Sequence, residues 1–270
     1  MKTHSIWLVV LFWALNAQAG TISLGSAGSF AVLAGSTATN TGSTVVDGDL
    51  GVYSLGGANA VTGFPPGIVN GTIYATGYDP VATAMQAQSD LTTAYNEAAS
   101  LAPTQVLTGE DLGGLTLTPG VYFFASSAEL TGTLTLNAEG DPNAVFVFQI
   151  GSALTTASSS MVNFINTNGG QPDPNVFWQV GSSSTLGTTT QFAGNILALT
   201  SITLDHGADI TCGSALAQNG AVTMDTNAVS IYGCEATTGG VPEPGTATLL
   251  GMGLLLSLIV YGRRPRSRRA

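Results

Sequence analysis

The sequence predicts a mainly β fold, a triangular β-solenoid with one long α-helix packed alongside it. Three observations predict this fold class. Apolar and small polar residues alternate for most of the chain, a loose repeat of 18 to 20 residues recurs in its second half, and one helical segment interrupts the pattern. The chain has 270 residues, 44% hydrophobic and 8% charged, so it is long enough for one continuous core.

The repeat is visible in two registers. Residues 194–198 (Gly-Asn-Ile-Leu-Ala) recur as residues 213–217 (Gly-Ser-Ala-Leu-Ala), and the Thr-Leu pairs at 185 and 203 are followed by Thr223-Met224. Upstream, residues 145–152 are echoed about 30 positions on by residues 176–182, with a turn-rich insert at 166–175. Such a period divides into three short strands and three turns, one coil of a solenoid whose neighbours stack at about 4.8 Å. A propeller needs a longer period, and a β-sandwich, the less favoured alternative, lacks this recurring ladder.

The interrupting segment is predicted to be a helix over residues 80–100. Asp79 is the expected N-cap, Pro80 fits the first turn and Pro103 follows the end. Its apolar stripe is formed by Val81, Ala84, Met85, Gln88, Leu91, Tyr95 and Ala98. The helix would be roughly 31 Å long, and six coils rise roughly 29 Å, so we expect it to cover one face of the solenoid.

Charge excludes several functions. The chain has 6 Lys+Arg and 16 Asp+Glu, and its basic residues lie only at the two ends. Residues 20–240 therefore contain no cation and every acid except Glu243, a net charge near −15. Nucleic-acid binding depends on cations that neutralise phosphates, so a nucleic-acid partner is excluded, and a nucleotide site is disfavoured.

The N-terminus predicts secretion. Lys2 precedes an apolar run from Ile6 to Leu15, and Ala17-Gln18-Ala19 supplies the small residues that signal peptidase recognises. We therefore assign residues 1–19 to a signal peptide cleaved before Gly20, with a retained signal anchor as the alternative. The domain would span residues 20–240.

The C-terminal segment, residues 241–270, has three parts. Val241-Pro242-Glu243-Pro244 is followed by an apolar stretch to about Tyr261, predicted to be a short transmembrane helix, and then by an Arg-rich tail that favours the cytoplasmic side. This arrangement resembles the PEP-CTERM sorting signal of Gram-negative bacteria. The resemblance implies transient membrane insertion, processing by an exosortase-type protease, and release to the cell surface, the extracellular matrix or the medium. An ordinary C-terminal anchor is the alternative.

The chain has two cysteines, Cys212 and Cys234, about one coil apart. In an oxidising compartment they predict a disulfide that pins the last coil, contributing about 3–4 kcal/mol for a loop of this size. A metal site is disfavoured because only His206 lies nearby.

Threonines define the predicted surface. If Leu134, Leu136, Leu186, Leu204 and Met224 point inward, their neighbours point outward and stack into a column. The members of this column are Thr133, Thr135, Thr185, Thr203 and Thr223, with Thr116 and Thr155 as extensions. Stiff β-branched side chains make such a column pre-ordered, although outward threonines also simply suit exposed strands.

Catalysis is not expected. His206 is the one histidine beyond the signal peptide, and no nucleophile elbow accompanies it. Asp205, Asp209 and Asp225 fall at similar positions of successive coils, which keeps a polysaccharide-cleaving β-helix as an enzymatic alternative. The acidic turns at 47–49 and 139–141 do not follow a calcium-loop pattern, so neither a metal nor a cofactor is predicted.

Several segments between Gly20 and Gly233 resemble the DUF3494 ice-binding family of cold-adapted microbes. They are residues 29–36 (Ser-Phe-Ala-Val-Leu-Ala-Gly-Ser), 47–51 (Asp-Gly-Asp-Leu-Gly), 120–122 (Gly-Val-Tyr), 140–146 (Gly-Asp-Pro-Asn-Ala-Val-Phe) and 194–198. The resemblance implies an irregular right-handed β-solenoid with a long helix along it, which adsorbs to the surface of ice crystals through a flat face. It implies neither a reaction nor a cofactor. A structural or adhesive matrix protein without ice activity is the alternative function.

The family often carries a Thr-(Ala or Gly)-x-(Thr or Asn) tetrapeptide on its active face. Residues 37–40 (Thr-Ala-Thr-Asn) and 41–44 (Thr-Gly-Ser-Thr) match it, whereas residues 188–190 (Thr-Thr-Thr) lack the small residue, and His206 and Asp209 interrupt the neighbouring column. The tetrapeptides add to the candidate ice-binding residues Thr37, Thr39, Asn40, Thr41, Thr44, Thr188 and Thr190.

Overall fold

The computed structural model describes residues 22–53, 61–78, 80–168 and 175–232. A short 3-10 helix, Gly25–Ser29, opens the described chain. Before the long helix, the strands are β1 (Phe30–Ala34), β2 (Ala38–Thr41), β3 (Val45–Asp47), β4 (Asp49–Val52), β5 (Val61–Thr62), β6 (Ile68–Val69) and β7 (Ile73–Tyr74). Helix α1 spans Val81–Ser100. After it come β8 (Gln105–Val106), β9 (Thr116–Leu117), β10 (Gly120–Phe124), β11 (Ala128–Leu130), β12 (Thr133–Asn137), β13 (Phe146–Ile150), β14 (Leu154–Thr156), β15 (Met161–Ile165), β16 (Val176–Val180), β17 (Ser184–Leu186), β18 (Gln191–Ala193), β19 (Asn195–Ala198), β20 (Ile202–Leu204), β21 (Asp209–Cys212), β22 (Ala215–Ala217), β23 (Val222–Asp225) and β24 (Ala228–Ser230).

The strands form three parallel sheets, the faces of a solenoid, which confirms the predicted fold class. Sheet 1 has nine strands in the order β7-β4-β1-β22-β19-β16-β13-β10-β8. Sheet 2 has seven, in the order β11-β14-β17-β20-β23-β2-β5. Sheet 3 has eight, in the order β6-β3-β24-β21-β18-β15-β12-β9.

The pairing register confirms the sequence repeat. Thr185 pairs with Thr203, and Thr203 pairs with Thr223, as the recurring Thr pairs predict. Leu197 pairs with Leu216, and Gln149 pairs with Gln179 across the predicted insert. Equivalent positions of successive coils therefore lie one above the other.

The order of coils differs from the order of the chain, which the repeat did not predict. In sheet 1, β1 lies between β4 and β22, so the first described coil stacks on the last one. The chain runs from β1 to one end of the stack at β7, and α1 then returns it to the other end at β8. Nine strands place β7 and β8 roughly 38 Å apart, and 20 residues of helix supply roughly 30 Å of that return. The stack is therefore longer than the six coils assumed from the sequence.

Two apolar clusters hold the molecule together. The inner faces of the three sheets enclose the first, in which the rings of Tyr122, Phe148 and Trp178 stack on successive coils and the ring of Phe192 packs tilted against Trp178. The centroids of Phe148 and Trp178 lie 3.9 Å apart, and the Trp178 indole N–H donates to the Ala193 carbonyl at 3.0 Å. The second cluster lies between the outer face of sheet 1 and α1. The helix therefore covers sheet 1 and leaves sheet 2 free of it.

Helix α1 begins and ends within a residue of its predicted bounds, but its buried stripe differs. Val81 and Met85, predicted to be buried, are 38% and 47% exposed, and the smaller Ala87 and Ala94 are buried in the interface. Small residues allow the helix to lie close to the sheet, which the apolar pattern alone did not indicate. Asp79, the predicted N-cap, lies outside the described residues.

Glutamines of sheet 1 and α1 satisfy backbone groups across this interface. Gln149 Nε2 donates to the carbonyls of Ala98 and Leu101 at 2.7 and 2.8 Å, where the last turn of the helix leaves acceptors unpaired. Gln88 Nε2 donates to the Ala217 carbonyl at 3.0 Å. These bonds fix the helix against the coils.

One turn recurs at the corner between sheets 2 and 3. Ser159, Thr189, Gly207 and Thr226 each have a positive φ, between 56° and 68°. Each is followed by a buried residue that enters sheet 3, and these buried residues are Ser160, Thr190, Ala208 and Asn227. Thr44 takes the same position in the first coil. Most of these side chains are polar because the turn leaves backbone groups that need partners.

Candidate functional site

The outer face of sheet 2 carries an unbroken column of threonines. In stacking order the column consists of Thr155, Thr185, Thr203, Thr223, Thr39 and Thr62, one from each of six adjacent strands. Most of their neighbours along the strands are buried. Ile202 and Leu204, for example, flank Thr203 and are 0% and 1% exposed. Because side chains alternate across a strand, these buried neighbours hold the threonines outward.

The threonines are neighbours across strands as well as outward-facing. Parallel strands lie about 4.8 Å apart, so each hydroxyl and methyl is repeated at that interval. The Thr39 hydroxyl donates to the Thr223 hydroxyl at 3.4 Å, which shows that the spacing continues where the two ends of the described chain meet. The result is a regular row of identical small groups.

A second column runs beside the first, toward sheet 1. Its residues each precede the sheet 2 strands by one position, and they are Ser127, Ala153, Ser183, Ser201, Ala221 and Thr37. Backbone bonds keep them in register, since the Ser184 N–H donates to the Ser201 carbonyl and the Val222 N–H to the Thr37 carbonyl, both at 2.9 Å. Every member is small, so no side chain rises above the threonine column.

The opposite rim, toward sheet 3, carries two acidic residues. Asp205 and Asp225 follow β20 and end β23 at equivalent positions, and His206 Nδ1 lies 3.3 Å from Asp225 Oδ1. The His206 and Asp225 side chains are 64% and 42% exposed, which leaves this pair well hydrated. The charged rim bounds the neutral surface on that side.

Five of the predicted residues, Thr39, Thr155, Thr185, Thr203 and Thr223, come together in the central column. Thr37 joins the second column, and Thr41 is exposed at the rim, paired with Asp225. Thr62 was missed, although its Val61-Thr62 pair repeats the Ala38-Thr39 and Val222-Thr223 pattern. That similarity could have placed Thr62 in the column from the sequence.

Three predicted residues lie on a different face. Thr116, in β9, and Thr133 and Thr135, in β12, belong to sheet 3. Placing them in one column with Thr203 was wrong, because alternation separates inside from outside but does not distinguish three faces. Sheet 3 is also irregular on its outer side, where Met161 is 42% exposed in the column of Thr133.

Two predicted residues are buried at the corner, so their assignment to a binding surface was wrong. Thr190 is 0% exposed, and its Oγ1 lies 2.8 Å from Thr156 Oγ1. Thr44 is also 0% exposed, and its Oγ1 accepts from the Asn227 N–H at 3.1 Å. The hydroxyls satisfy the polar groups of the turn instead of facing solvent.

Two more predicted residues belong to the same corner. Asn40 Nδ2 donates to the carbonyls of Gly42 and Gly63, each at 2.9 Å, so this amide links neighbouring coils. Thr188 is half-buried in the turn beside Thr189 and lies outside the sheet 2 strands. Asp209, predicted to interrupt the neighbouring column, lies in β21 of sheet 3.

Possible metal sites and cavities bear on the enzymatic alternative. Among the described residues, no three His, Cys, Asp or Glu side chains come together in a possible metal site. A cavity of about 490 Å³ lies beside the 3-10 helix, lined by residues that include Ile22, Leu24, Phe177 and Tyr232 and by no acid or histidine. The carboxylates of the enzymatic alternative therefore do not line this cavity.

The structure does not cover the predicted processing segments. Residues 1–21 and 233–270 lie outside the described residues, and these include the signal peptide, the sorting motif Val241-Pro242-Glu243-Pro244 and the predicted transmembrane helix. Within the described ranges, no helix is long and apolar enough to cross a membrane. Cys212 is buried, and the described part of the chain contains no free cysteine, but its predicted partner Cys234 is not among those residues.

The chain is similar to known ice-binding proteins. The family model described as Ice-binding-like matches residues 32–230. An ice-binding protein of Nostoc sp. (strain HG1) is 59% identical over 255 residues, which cover 93% of this chain and 91% of that protein.

Two solved structures are similar to most of this chain. The crystal structure of an ice-binding protein from an Antarctic biological consortium has 45% identity and a TM-score of 0.72, covering 82% of this chain and 96% of that one. An ice-binding protein of the Antarctic ascomycete Antarctomyces psychrotrophicus has 39% identity and a TM-score of 0.71, covering 78% and 98%. The chain therefore belongs to the ice-binding-like family.

Proposed function

We propose that this protein adsorbs to ice through the outer face of sheet 2 and thereby inhibits crystal growth or recrystallisation. The observation that carries the proposal is the column of six threonines in register from Thr155 to Thr62. Ice is a periodic solid, so a periodic row of rigid groups can meet it at many points at once. Similarity to ice-binding proteins supports the same conclusion.

The physical basis is pre-organisation and multivalency. A β-branched side chain on a packed strand has few rotamers to lose, so ordering it at an ice surface costs little entropy. Each methyl and hydroxyl contributes weakly, but simultaneous contacts make dissociation slow. Lysine and arginine, which are long and charged, are absent from residues 20–240 and cannot disturb the face. The mechanism requires no reaction, metal or cofactor.

The second column extends the same surface. Ser183, Ser201 and Ala221 lie beside the threonines without rising above them, so ordered water can occupy the space between the columns. The acidic rim at Asp205 and Asp225 holds hydrated charges, and we infer that contact with ice stops there. The contact surface is therefore the two neutral columns.

The ends of the chain would deliver this domain outside the cell. We propose that signal peptidase removes residues 1–19, that a disulfide joins Cys212 to Cys234, and that the segment 241–270 inserts transiently in the inner membrane of a Gram-negative bacterium. An exosortase-type protease would then process the Val-Pro-Glu-Pro segment. The sequence pattern of each segment supports this route.

Growth of a single ice crystal in purified domain tests the function. We expect faceted crystals and a gap between the melting temperature and the freezing temperature. Both effects should be strongly reduced in Thr203→Lys. The matched control is Thr135→Lys, which places the same charge on an outward threonine of sheet 3 and should leave the gap unchanged. Growth of the wild type indistinguishable from buffer would overturn the proposal and favour a matrix protein indifferent to ice.

A further inference from the structure

The threonine column ends at an acidic residue, although the sheet continues. Strand β11 adds a seventh strand beyond β14, and Glu129 pairs with Thr155 at the position where the column would have its next threonine. Ala128 and Leu130 are buried on either side at 1% and 0% exposure, so the Glu129 side chain faces outward as the threonines do. One further bridge places Asp111 beside Glu129.

The fold does not require a carboxylate at this position. Among the described residues, no hydrogen bond or ion pair involves the side chain of Glu129, which is exposed. Asp111 differs, because its Oδ1 accepts from the backbone N–H groups of Gly113 and Thr131 at 2.8 and 2.9 Å. Partial burial acts to raise the pKa of Asp111, but these hydrogen bonds lower it overall. The Asp111 carboxylate therefore stabilises the local fold, whereas no contact among the described residues uses the Glu129 carboxylate.

We propose that Glu129 sets the end of the ice-binding face, and this inference rests on the proposed function. A carboxylate binds its own hydration shell, whose geometry competes with the water order at an ice surface. It also has more rotamers to lose than threonine and projects above the small groups beside it. The protein therefore presents six threonines to ice, although sheet 2 has seven strands that could each carry one.

The position of β11 offers a competing explanation that the test must separate. Charged residues on edge strands prevent sheets from pairing edge to edge, and β11 is the terminal strand of sheet 2. In that case Glu129 would limit self-association and have no direct effect on ice. The two explanations differ in whether a monomer gains activity when the charge is removed.

The experiment compares Glu129→Thr with wild type by the gap between melting and freezing, over a range of protein concentrations. We expect a larger gap at every concentration, with Glu129→Gln between the two because it removes the charge but keeps the length. Glu110→Thr is the control, since it removes one charge in an exposed turn near the same end but outside sheet 2. Sedimentation reports association, and thermal unfolding shows that each variant is folded.

A reverse series tests the same boundary. Thr155→Glu moves the acidic end one rung inward and leaves five threonines contiguous, whereas Thr203→Glu divides the column into runs of two and three. We expect Thr203→Glu to lose more of the gap than Thr155→Glu, at equal net charge. This comparison does not depend on Glu129→Thr folding.

Several results would overturn the inference. The first is an unchanged gap for folded Glu129→Thr when the wild type is active, and the second is an equal gain in Glu110→Thr. The third is a gain in Glu129→Thr that appears only at concentrations where the variant associates. The fourth is an equal loss in Thr155→Glu and Thr203→Glu. An inactive wild type would instead overturn the proposed function itself, so the two failures are distinguishable.

Discussion

The hydroxyls of Thr39 and Thr223 lie 3.4 Å apart, although 184 positions separate them in the chain. Thr39 belongs to the first described coil and Thr223 to the last, and between them β2 pairs with β23. The threonine column is therefore assembled from two distant parts of the sequence. Its regularity depends on how well these parts dock.

The first prediction concerns this junction. Thr39→Lys should reduce the gap between melting and freezing about as strongly as Thr203→Lys, because both interrupt the interior of one column. The measurement is the gap at matched concentration. Ser43→Lys, which charges an exposed turn residue of the same coil, is the control. A normal gap for Thr39→Lys would mean that the N-terminal coils do not contact ice.

The second prediction concerns Asn227, which joins three coils at the corner. Its Nδ2 donates to the carbonyls of Asp205 and Ala208 at 2.9 and 2.7 Å, and its N–H donates to Thr44 Oγ1. Asn227→Ala leaves buried acceptors unpaired and should lower the free energy of unfolding by about 1–3 kcal/mol. Denaturant unfolding measures it. Asn219→Ala, on an exposed turn, should cost less than Asn227→Ala, and equal losses would contradict this role.

The third prediction is a dependence of stability on pH. Hydrogen bonds from the Ser26 hydroxyl and then the Ser26 backbone N–H, at 2.6 and 2.7 Å, lower the pKa of Asp90 below its ordinary value. A lowered pKa in the folded state means that the stabilisation is present above the ordinary aspartate pKa of about 3.9 and is lost as the pH falls through the folded-state value.

Asp90→Asn should therefore reduce the melting temperature near neutral pH, and the difference from wild type should shrink in acid. Thermal unfolding at about pH 6 and about pH 2 measures both. Glu97→Gln, on an exposed position of the same helix, serves as the control. A difference that stays constant between the two pH values would show that Asp90 acts through packing.

The fourth prediction concerns the cysteines. If Cys212 is bonded to Cys234, reduction under native conditions should lower the free energy of unfolding by about 3–4 kcal/mol, since the open loop gains entropy when unfolded. The effect is measured by denaturant unfolding with and without reductant. The Cys234→Ser variant should be insensitive to reductant, and equal sensitivity in that variant would exclude the bond.

Local sequence patterns were sufficient to predict the solenoid, the register of its later coils and the position of the helix. Pairs such as Thr185-Leu186 and Thr203-Leu204 repeat because each coil must present one outward and one inward group at the same place. Leu91 and Ala98 were recognised by helical spacing. These features depend on neighbours within one coil or one turn, which a single sequence displays.

The errors in the predicted site arose where the deciding contact joins residues far apart in the chain, or where the three faces of the solenoid have similar sequence patterns. Thr135 lies between two leucines and Thr203 between an isoleucine and a leucine, yet one threonine lies in sheet 3 and the other in sheet 2. Thr44 and Thr190 were mistaken for surface residues because a buried hydroxyl that satisfies a corner has the same sequence signature as an exposed one. The pairing of β2 with β23 could not be predicted from local sequence, because no residue near Thr39 indicates that its partner across the sheet is Thr223.

The length of the helix between β7 and β8 is also matched to the height of the stack. Each coil added to the solenoid lengthens the return path by about 4.8 Å, which corresponds to roughly three residues of helix, close to one turn. Insertion of a coil without such an extension would strain the connection, and extension of the helix alone would leave an unsupported end. We expect relatives with more or fewer coils to have a correspondingly longer or shorter helix. The number of threonine-bearing strands that can contact ice would then depend on the length of α1 as much as on the strands.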